Sequence, residues 1–297
     1  MITVFGSTNL DQVGTVSRLP KPGETVAGGT FSMAAGGKGA NQALAARRAG
    51  AEVRHFSAVG ADAFAEMALE LLKADGVDLS DLKISSGPTG IAMIFVDSHG
   101  ENVIAVLPGA NGTLTPADAD KALAGLGDGA VLLLQQEIPQ DATERALDLA
   151  RAQNVTSILN TAPFLDSTKA IAPKAAILVA NETEFGLLTG TGIDLLDAAM
   201  LEWSTRHDQT VIVTLGPDGA KAATRTGFIH VPAMKVKPVD TVGAGDTFCG
   251  YLAAGLDSGL DLEAAMKRAA VAASLACLKP GAQPAIPYAR DVAAALG

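Results

Sequence analysis

Residues 131–159, VLLLQQEIPQDATERALDLARAQNVTSIL, decide the fold. Val131 to Leu134 is a short apolar run that stops at the polar triplet Gln135-Gln136-Glu137. A helical pattern follows over Asp141–Ala152, and Val155 to Leu159 opens a second apolar run. Strand, helix, strand in this rhythm is a βα repeat, the sequence form of a parallel sheet. Outward from it the same rhythm continues. Val53 to Val59, Ala176 to Val179 and Val211 to Leu215 read as further strands, and the N-terminal Ile2 to Phe5 as the first. Asn41–Arg48, Ala63–Ala74 and Asp194–Arg206 read as helices between strands, and Asp246–Ser258 and Leu262–Leu278 as two alanine-rich helices near the end. The expected fold is therefore α/β, a mostly parallel sheet flanked by helices on both faces, with functional loops at the C-terminal ends of the strands.

Two stretches break the rhythm. Thr89 to Val96 and Val103 to Val106 flank the polar turn Asp97–Asn102, the pattern of a β-hairpin. Asp11 to Met33 is helix-poor with a turn at Pro20-Lys21-Pro22-Gly23. Together they read either as a small β lid (residues 11–33 and 89–106) set on a body formed by 1–10, 34–88 and 107–297, or as an edge sheet with no moving role.

Composition excludes several classes. The 297 residues carry 22 Lys plus Arg against 32 Asp plus Glu, a net charge of −10, which argues against nucleic-acid or anionic-membrane partners. At 48% hydrophobic residues the chain can build a large core. Cys249 and Cys277 form no CxxC pair, so neither a disulfide framework nor a thiolate zinc site is expected. The apolar runs fall short of the ~18–20 residues of a membrane span. The start has no basic segment or cleavage site, so the expected compartment is the cytoplasm.

The candidate chemistry lies in glycine-rich loops. In Asp240-Thr241-Val242-Gly243-Ala244-Gly245-Asp246-Thr247-Phe248, two glycines bare the backbone just before a helix, a pocket for negative charge. Asp246 has two readings there: an N-cap of that helix, or a carboxylate placed to take a proton from a hydroxyl that attacks phosphorus. In Ala35-Gly36-Gly37-Lys38-Gly39-Ala40-Asn41-Gln42-Ala43, three glycines surround a lysine. With Asn9-Leu10-Asp11 after the first strand, this segment supplies amides and carboxylates suited to a polyol, although a tight turn with a solvated lysine has the same composition. Glu137 follows a strand and faces the crevice expected there. Asn181-Glu182-Thr183-Glu184 follows another; it reads as a capping box or as a water-mediated Mg²⁺ site. Familiar nucleotide motifs are missing. Phe248 stands where a dinucleotide fingerprint needs its third glycine, and Ser32 and Gly39 break a P-loop. His55, His99, His207 and His230 are scattered and make no metal pair or nucleophile set.

GGKGANQA at 36–43 and DTVGAGDTF at 240–248 carry a resemblance, supported by KPGET at 21–25, TGIAMIFVD at 89–97, GENVIAVLPGAN at 100–111, NETE at 181–184, TLGPDG at 214–219 and KPGAQP at 279–284. Over essentially its whole length the chain resembles the PfkB carbohydrate-kinase family, on the side of its ribose-phosphorylating members. The resemblance implies a Rossmann-like, ribokinase-type fold with a small β-sheet lid through which subunits form a homodimer. It also implies ATP-dependent phosphorylation of the O5 hydroxyl of D-ribose. By it, Asn9, Asp11, Gly37, Lys38, Asn41, Glu137 and Asp246 hold the sugar. Asp246 is the general base, and the amides of Gly243, Ala244, Gly245 and Asp246 form the anion hole. Asn181, the turn Thr214, Leu215, Gly216, Pro217, Asp218 and Gly219, and Gly245 contact ATP, and Glu184 acts on Mg²⁺ through water. A K⁺ site falls on Asp240, Val242, Ala276, Lys279, Gly281 and Ala285 and orders the anion-hole loop.

Two positions depart from the family pattern. Ala270 stands where a His or Asn near adenine is expected, implying purely apolar contacts there, and Gly243 replaces an alanine, implying a more flexible loop. The rival functions are a kinase of the family acting on another pentose, 2-deoxyribose or a nucleoside, and a catalytically silent sugar-binding regulator, against which an intact Asp246 weighs.

Overall fold

The computed structural model describes all residues, Met1–Gly297. Eight strands make the central sheet, in the order β14-β13-β12-β11-β10-β9-β1-β4. They are β1 (Ile2–Phe5), β4 (Val53–Phe56), β9 (Val131–Leu134), β10 (Thr156–Asn160), β11 (Ile177–Asn181), β12 (Thr210–Thr214), β13 (Ala220–Thr224) and β14 (Gly227–Val231). The six strands from β12 to β4 are parallel, as the βα rhythm requires, and β13 and β14 close one edge antiparallel. Every residue of β1 and β9 is buried. Alternate side chains enter two cores, one under each helical layer: Val4 and Leu133 lie on one side, Phe5 and Leu134 on the other. Purely parallel strands need this double cover, because both of their faces are apolar. No helix is long and apolar enough to cross a membrane.

A separate four-stranded sheet, β3-β2-β7-β8, consists of β2 (Asn9–Val16), β3 (Gly28–Gly36), β7 (Gly90–Val96) and β8 (Asn102–Leu107). The hairpin expected from 89–106 is its antiparallel β7–β8 pair. Its strands run beyond the 11–33 and 89–106 segments: β2 begins at Asn9, β3 reaches Gly36 and β8 ends at Leu107. Asn9 and Gly36 pair across β2 and β3, so the sheet grows directly out of the β1 turn and feeds the helix Lys38–Arg48.

Some elements differ from expectation. Val53–Val59 is not one strand; β4 stays in the central sheet, and after Ser57 β5 (Ala58–Gly60) pairs with β6 (Lys83–Ser85) in a two-stranded ribbon. Ala63–Ala74 is two short helices that meet at Leu69. The hairpin β13–β14 leaves no clear sign in the sequence, because its first strand, Ala-Lys-Ala-Ala-Thr, is mostly alanine with one β-branched residue.

Candidate active site

The site lies where the C-terminal ends of the central strands meet the second sheet. Asp246 is its pivot. It is not the N-cap of its helix: Gly243 takes that place with φ +75°, and the helix Ala244–Asp257 carries Asp246, itself buried, in its first turn. Its carboxylate turns away from the helix end. Asn41 Nδ2 donates to Oδ2 at 2.9 Å and Gln42 Nε2 donates to Oδ1 at 2.9 Å. Gly243 meets two demands there, since its φ is left-handed and a Cβ would sit 2.9 Å from that of Ala282. Gly245 meets neither, and a Cβ on it would touch nothing. The space is left open toward a cavity of about 420 Å³ that Gly245, Asp246, Lys38, Asn181, Glu184 and Thr214 help to line. In this loop, the Ala244 N–H bonds back to the Thr241 carbonyl at 3.3 Å, whereas the Gly245 and Asp246 N–H groups have no acceptor in the chain. Two bare amides at a helix N-terminus facing a cavity fit a phosphoryl group.

Lys38 is the first residue of its helix, capped by Gly37 at φ +90°. Its ammonium is held above the ordinary lysine range, chiefly by Asp246, with Glu137 and Glu184 adding to the effect. Glu137 Oε2 accepts from Ser7 Oγ at 2.6 Å and from the Lys38 N–H at 3.0 Å, which fixes the β9 crevice against the start of that helix. Asp11, on β2, faces the same cluster and accepts no hydrogen bond from the chain. Burial pushes its carboxyl up to about 7, helped by the negative charges of Glu137 and Asp246 and opposed by Lys38. Asn9 is buried, and its side-chain oxygen accepts from Asn111 Nδ2 at 2.7 Å. Three carboxylates around one lysine favour a ligand rich in hydroxyl donors.

Asn181 and Glu184 form the capping box that the spacing suggested. Asn181 Oδ1 accepts from the Glu184 N–H at 2.8 Å, and Glu184 Oε2 accepts from the Asn181 N–H at 3.1 Å and from Thr161 Oγ1 at 2.8 Å. Glu184 Oε1 has no donor in the chain and fits a water of a hydrated cation. Of the 214–219 turn, Thr214 and Gly216 reach the cavity wall. Leu215, Pro217, Asp218 and Gly219 shape the turn behind them, with Leu215 N–H donating to the Gly219 carbonyl at 2.8 Å. The proposed cation residues are also brought together. Asp240 Oδ1 accepts from the Val242 N–H at 3.0 Å and Oδ2 from the Gly281 N–H at 2.8 Å, while the Val239 N–H bonds to the Cys277 carbonyl at 2.8 Å. The 240–242 loop therefore lies against the segment that runs from Ala276 through Lys279 to Ala285. Ala270 is buried in its helix, and its carbonyl accepts from Ser274 Oγ.

Ser7, Gln42, Asn111 and Asn160 were missed by sequence reasoning. Their partners in the site are far along the chain, 130 positions for Ser7 and Glu137, 204 for Gln42 and Asp246, 102 for Asn111 and Asn9 and 118 for Asn160 and Gln42, so only the adjacency of Gln42 to Asn41 offered any signal.

The pfkB family carbohydrate kinase pattern matches residues 1–289. A ribokinase of Staphylococcus aureus is 37% identical over 298 residues, covering 98% of each chain. A deoxyribokinase of Salmonella typhi is 35% identical over 291 residues, covering 96% of this chain and 95% of the relative. The structure of Arabidopsis thaliana ribokinase complexed with ribose and ATP superposes with a TM-score of 0.88 at 30% identity, covering 99% of this chain and 98% of that one. With a family match over residues 1–289, relatives at 35–37% identity over nearly the whole chain and a superposition at TM-score 0.88, the chain belongs to the PfkB family of carbohydrate kinases.

Proposed function

We propose that this kinase transfers the γ-phosphoryl group of ATP to the O5 hydroxyl of D-ribose, with Asp246 as general base. One observation carries the reading: a buried carboxylate, clamped by two amides, stands beside two unpaired helix N-terminal N–H groups at the wall of the cavity. Phosphoryl transfer needs positioning and charge stabilisation more than covalent chemistry, and that arrangement offers both. Asp246 takes the proton of the attacking hydroxyl. The Gly245 and Asp246 amides, reinforced by the helix dipole, hold the negative charge that spreads over the transferred group. Asn9, Asp11, Gly37, Lys38, Asn41 and Glu137 hold the sugar hydroxyls, with Lys38 in the field of Asp246 and Asp11 offering the acceptor that is least satisfied within the chain.

Asn181, the Thr214–Gly219 turn and Gly245 line the ATP subsite. Glu184 holds Mg²⁺ through water, and the ion, when bound, neutralises charge between the phosphates. Asp240 and Val242, with the Ala276, Lys279, Gly281 and Ala285 segment, hold K⁺, and their part is to keep the Gly243 loop seated against Ala282.

The second sheet serves as lid and as dimer face. One face of it turns Asp11 toward the site. On the other, Phe31, Gly14, Phe95 and Val103 share one row and Met33, Gln12, Met93 and Ala105 the next. Phe31 is 65% exposed, and Met33, Met93, Phe95 and Val103 are exposed with it, an apolar patch that suits a second copy. Sedimentation equilibrium should give the mass of a dimer, and Phe31→Glu with Phe95→Glu should give a monomer; a wild-type monomer contradicts the dimer.

Similarity to a deoxyribokinase favours 2-deoxyribose as the second reading. A coupled ADP-release assay with D-ribose, 2-deoxyribose, other pentoses and nucleosides, with and without K⁺, decides between them. Highest kcat/KM on D-ribose, rising with K⁺, supports the first reading; highest on 2-deoxyribose replaces it. D-ribose binding without turnover on any acceptor makes the protein a sugar-binding regulator.

A further inference from the structure

Gln42 lies behind Asp246, fully buried and outside the wall of the cavity. Each polar atom of its amide is used. Nε2 donates to Asp246 Oδ1 at 2.9 Å and to Asn160 Oδ1 at 3.2 Å, and Oε1 accepts from Gln135 Nε2 at 2.7 Å. The reverse orientation of the amide would set its oxygen against two acceptors, so its direction is determined. Gln135 and Asn160 stand at the ends of β9 and β10, and Asn160 Nδ2 donates in turn to the Val179 carbonyl on β11. Gln42 thus ties Asp246 to the rims of three central strands. The distance is set by Gly250, one turn along the Asp246 helix, where the two helices approach so closely that a Cβ would meet the Gln42 carbonyl at 2.6 Å.

We propose that Gln42 is a positioning residue for phosphoryl transfer, which acts by holding the plane of the Asp246 carboxylate. The torsion of an aspartate about Cβ–Cγ is broad, so one donor does not fix where its second oxygen points. Here Asn41 holds Oδ2 and Gln42 holds Oδ1, from neighbouring positions on one helix. The donors are neutral, so they orient the carboxylate without cancelling its charge. Because Gln42 has no access to the cavity, it meets no substrate, and its loss should register in turnover rather than in binding. The inference rests on Asp246 being the general base.

The test is a double-mutant cycle on the full chain with D-ribose and Mg·ATP, using Gln42→Met, Asp246→Asn and both together, with Tm measured for each. Gln42→Met should lower kcat by up to about 10²-fold, the scale of a misplaced reacting group, and leave both KM values near those of the wild type. In the Asp246→Asn background the same change should cost no further turnover. A Gln42→Met enzyme with wild-type kcat, with an effect on KM alone, or with its full loss repeated in the Asp246→Asn background overturns the proposal. Retained turnover in Asp246→Asn alone overturns instead the reading on which the proposal rests. Should Gln42→Met fail to fold, Gln135→Met, which removes the support behind Gln42, takes its place in the cycle with a smaller expected loss and the same criteria.

Discussion

The two sheets of this kinase contribute to one site in different states of completion. On the side of the central sheet, each site carboxylate already has donors in the chain, while the Gly245 and Asp246 N–H groups and Asn41 Oδ1 are left free for a ligand. Asp246 has two amide donors, Glu137 has Ser7 and a backbone N–H, and Asn181 and Glu184 cap each other. The strands beneath them are buried on both faces. The four-stranded sheet is exposed along all of β8 and much of β3, and its Asp11 has no hydrogen-bond donor in the chain while facing two carboxylates. The difference teaches that the body is preorganised for transfer, whereas the second sheet is electrostatically unsatisfied until hydroxyls arrive.

The most direct way to break the comparison is to strike its rigid half. Asp246→Asn should lower turnover by about 10²–10⁴, the usual scale for a general base, with sugar and ATP binding nearly intact; steady-state kinetics beside calorimetric titration check it. Next comes Gly250→Ala, whose Cβ would lie 2.5 Å from that of Ala45 and 2.8 Å from the Ala46 nitrogen. Two helix backbones must part, and a loss of about 1–3 kcal/mol is expected in denaturant unfolding. An unchanged midpoint would mean that the helices are not packed so tightly.

A smaller effect sharpens the other half. The carboxyl of Asp11 is raised to about 7, so the folded chain binds that proton more tightly than the unfolded chain does. This group's contribution to stability is complete below the ordinary aspartate range and is lost as pH rises toward and through 7. Asp11→Asn should therefore raise the Tm of the ligand-free protein, more at pH 8 than at pH 5. A gain at pH 5 that vanishes at pH 8 would reverse the assignment. The smallest effect is local: D-ribose should slow amide exchange in 11–33 and 89–106 and leave β9 and β1 unchanged. Identical exchange with and without sugar in both segments would leave the second sheet without a closing role.

Much of the fold was legible because apolar runs such as Val131–Leu134 and the polar stops after them follow from burial on two faces. β13 was not, because alanines carry no strand signal, and the turn at Ser57 was not, because the residues on both of its sides are equally suited to strands. In the site, the glycine loop pointed to backbone left bare before a helix, and the Gly245 and Asp246 N–H groups there have no acceptor in the chain. Capping at Asp246 was the wrong local reading. N-cap geometry went to Gly243, whose positive φ and closeness to Ala282 depend on the 276–285 segment. Ser7, Gln42 and Asn160 had no local signature, for their partners are brought by the topology of the sheet.

The central claim is that the primary hydroxyl of D-ribose is the atom phosphorylated. Proton-coupled ³¹P NMR of the product made from D-ribose and Mg·ATP tests it directly. A phosphorus signal coupled to the two C5 protons is the predicted result. Coupling to the single C1 proton, or no sugar phosphate while ADP accumulates, would contradict it.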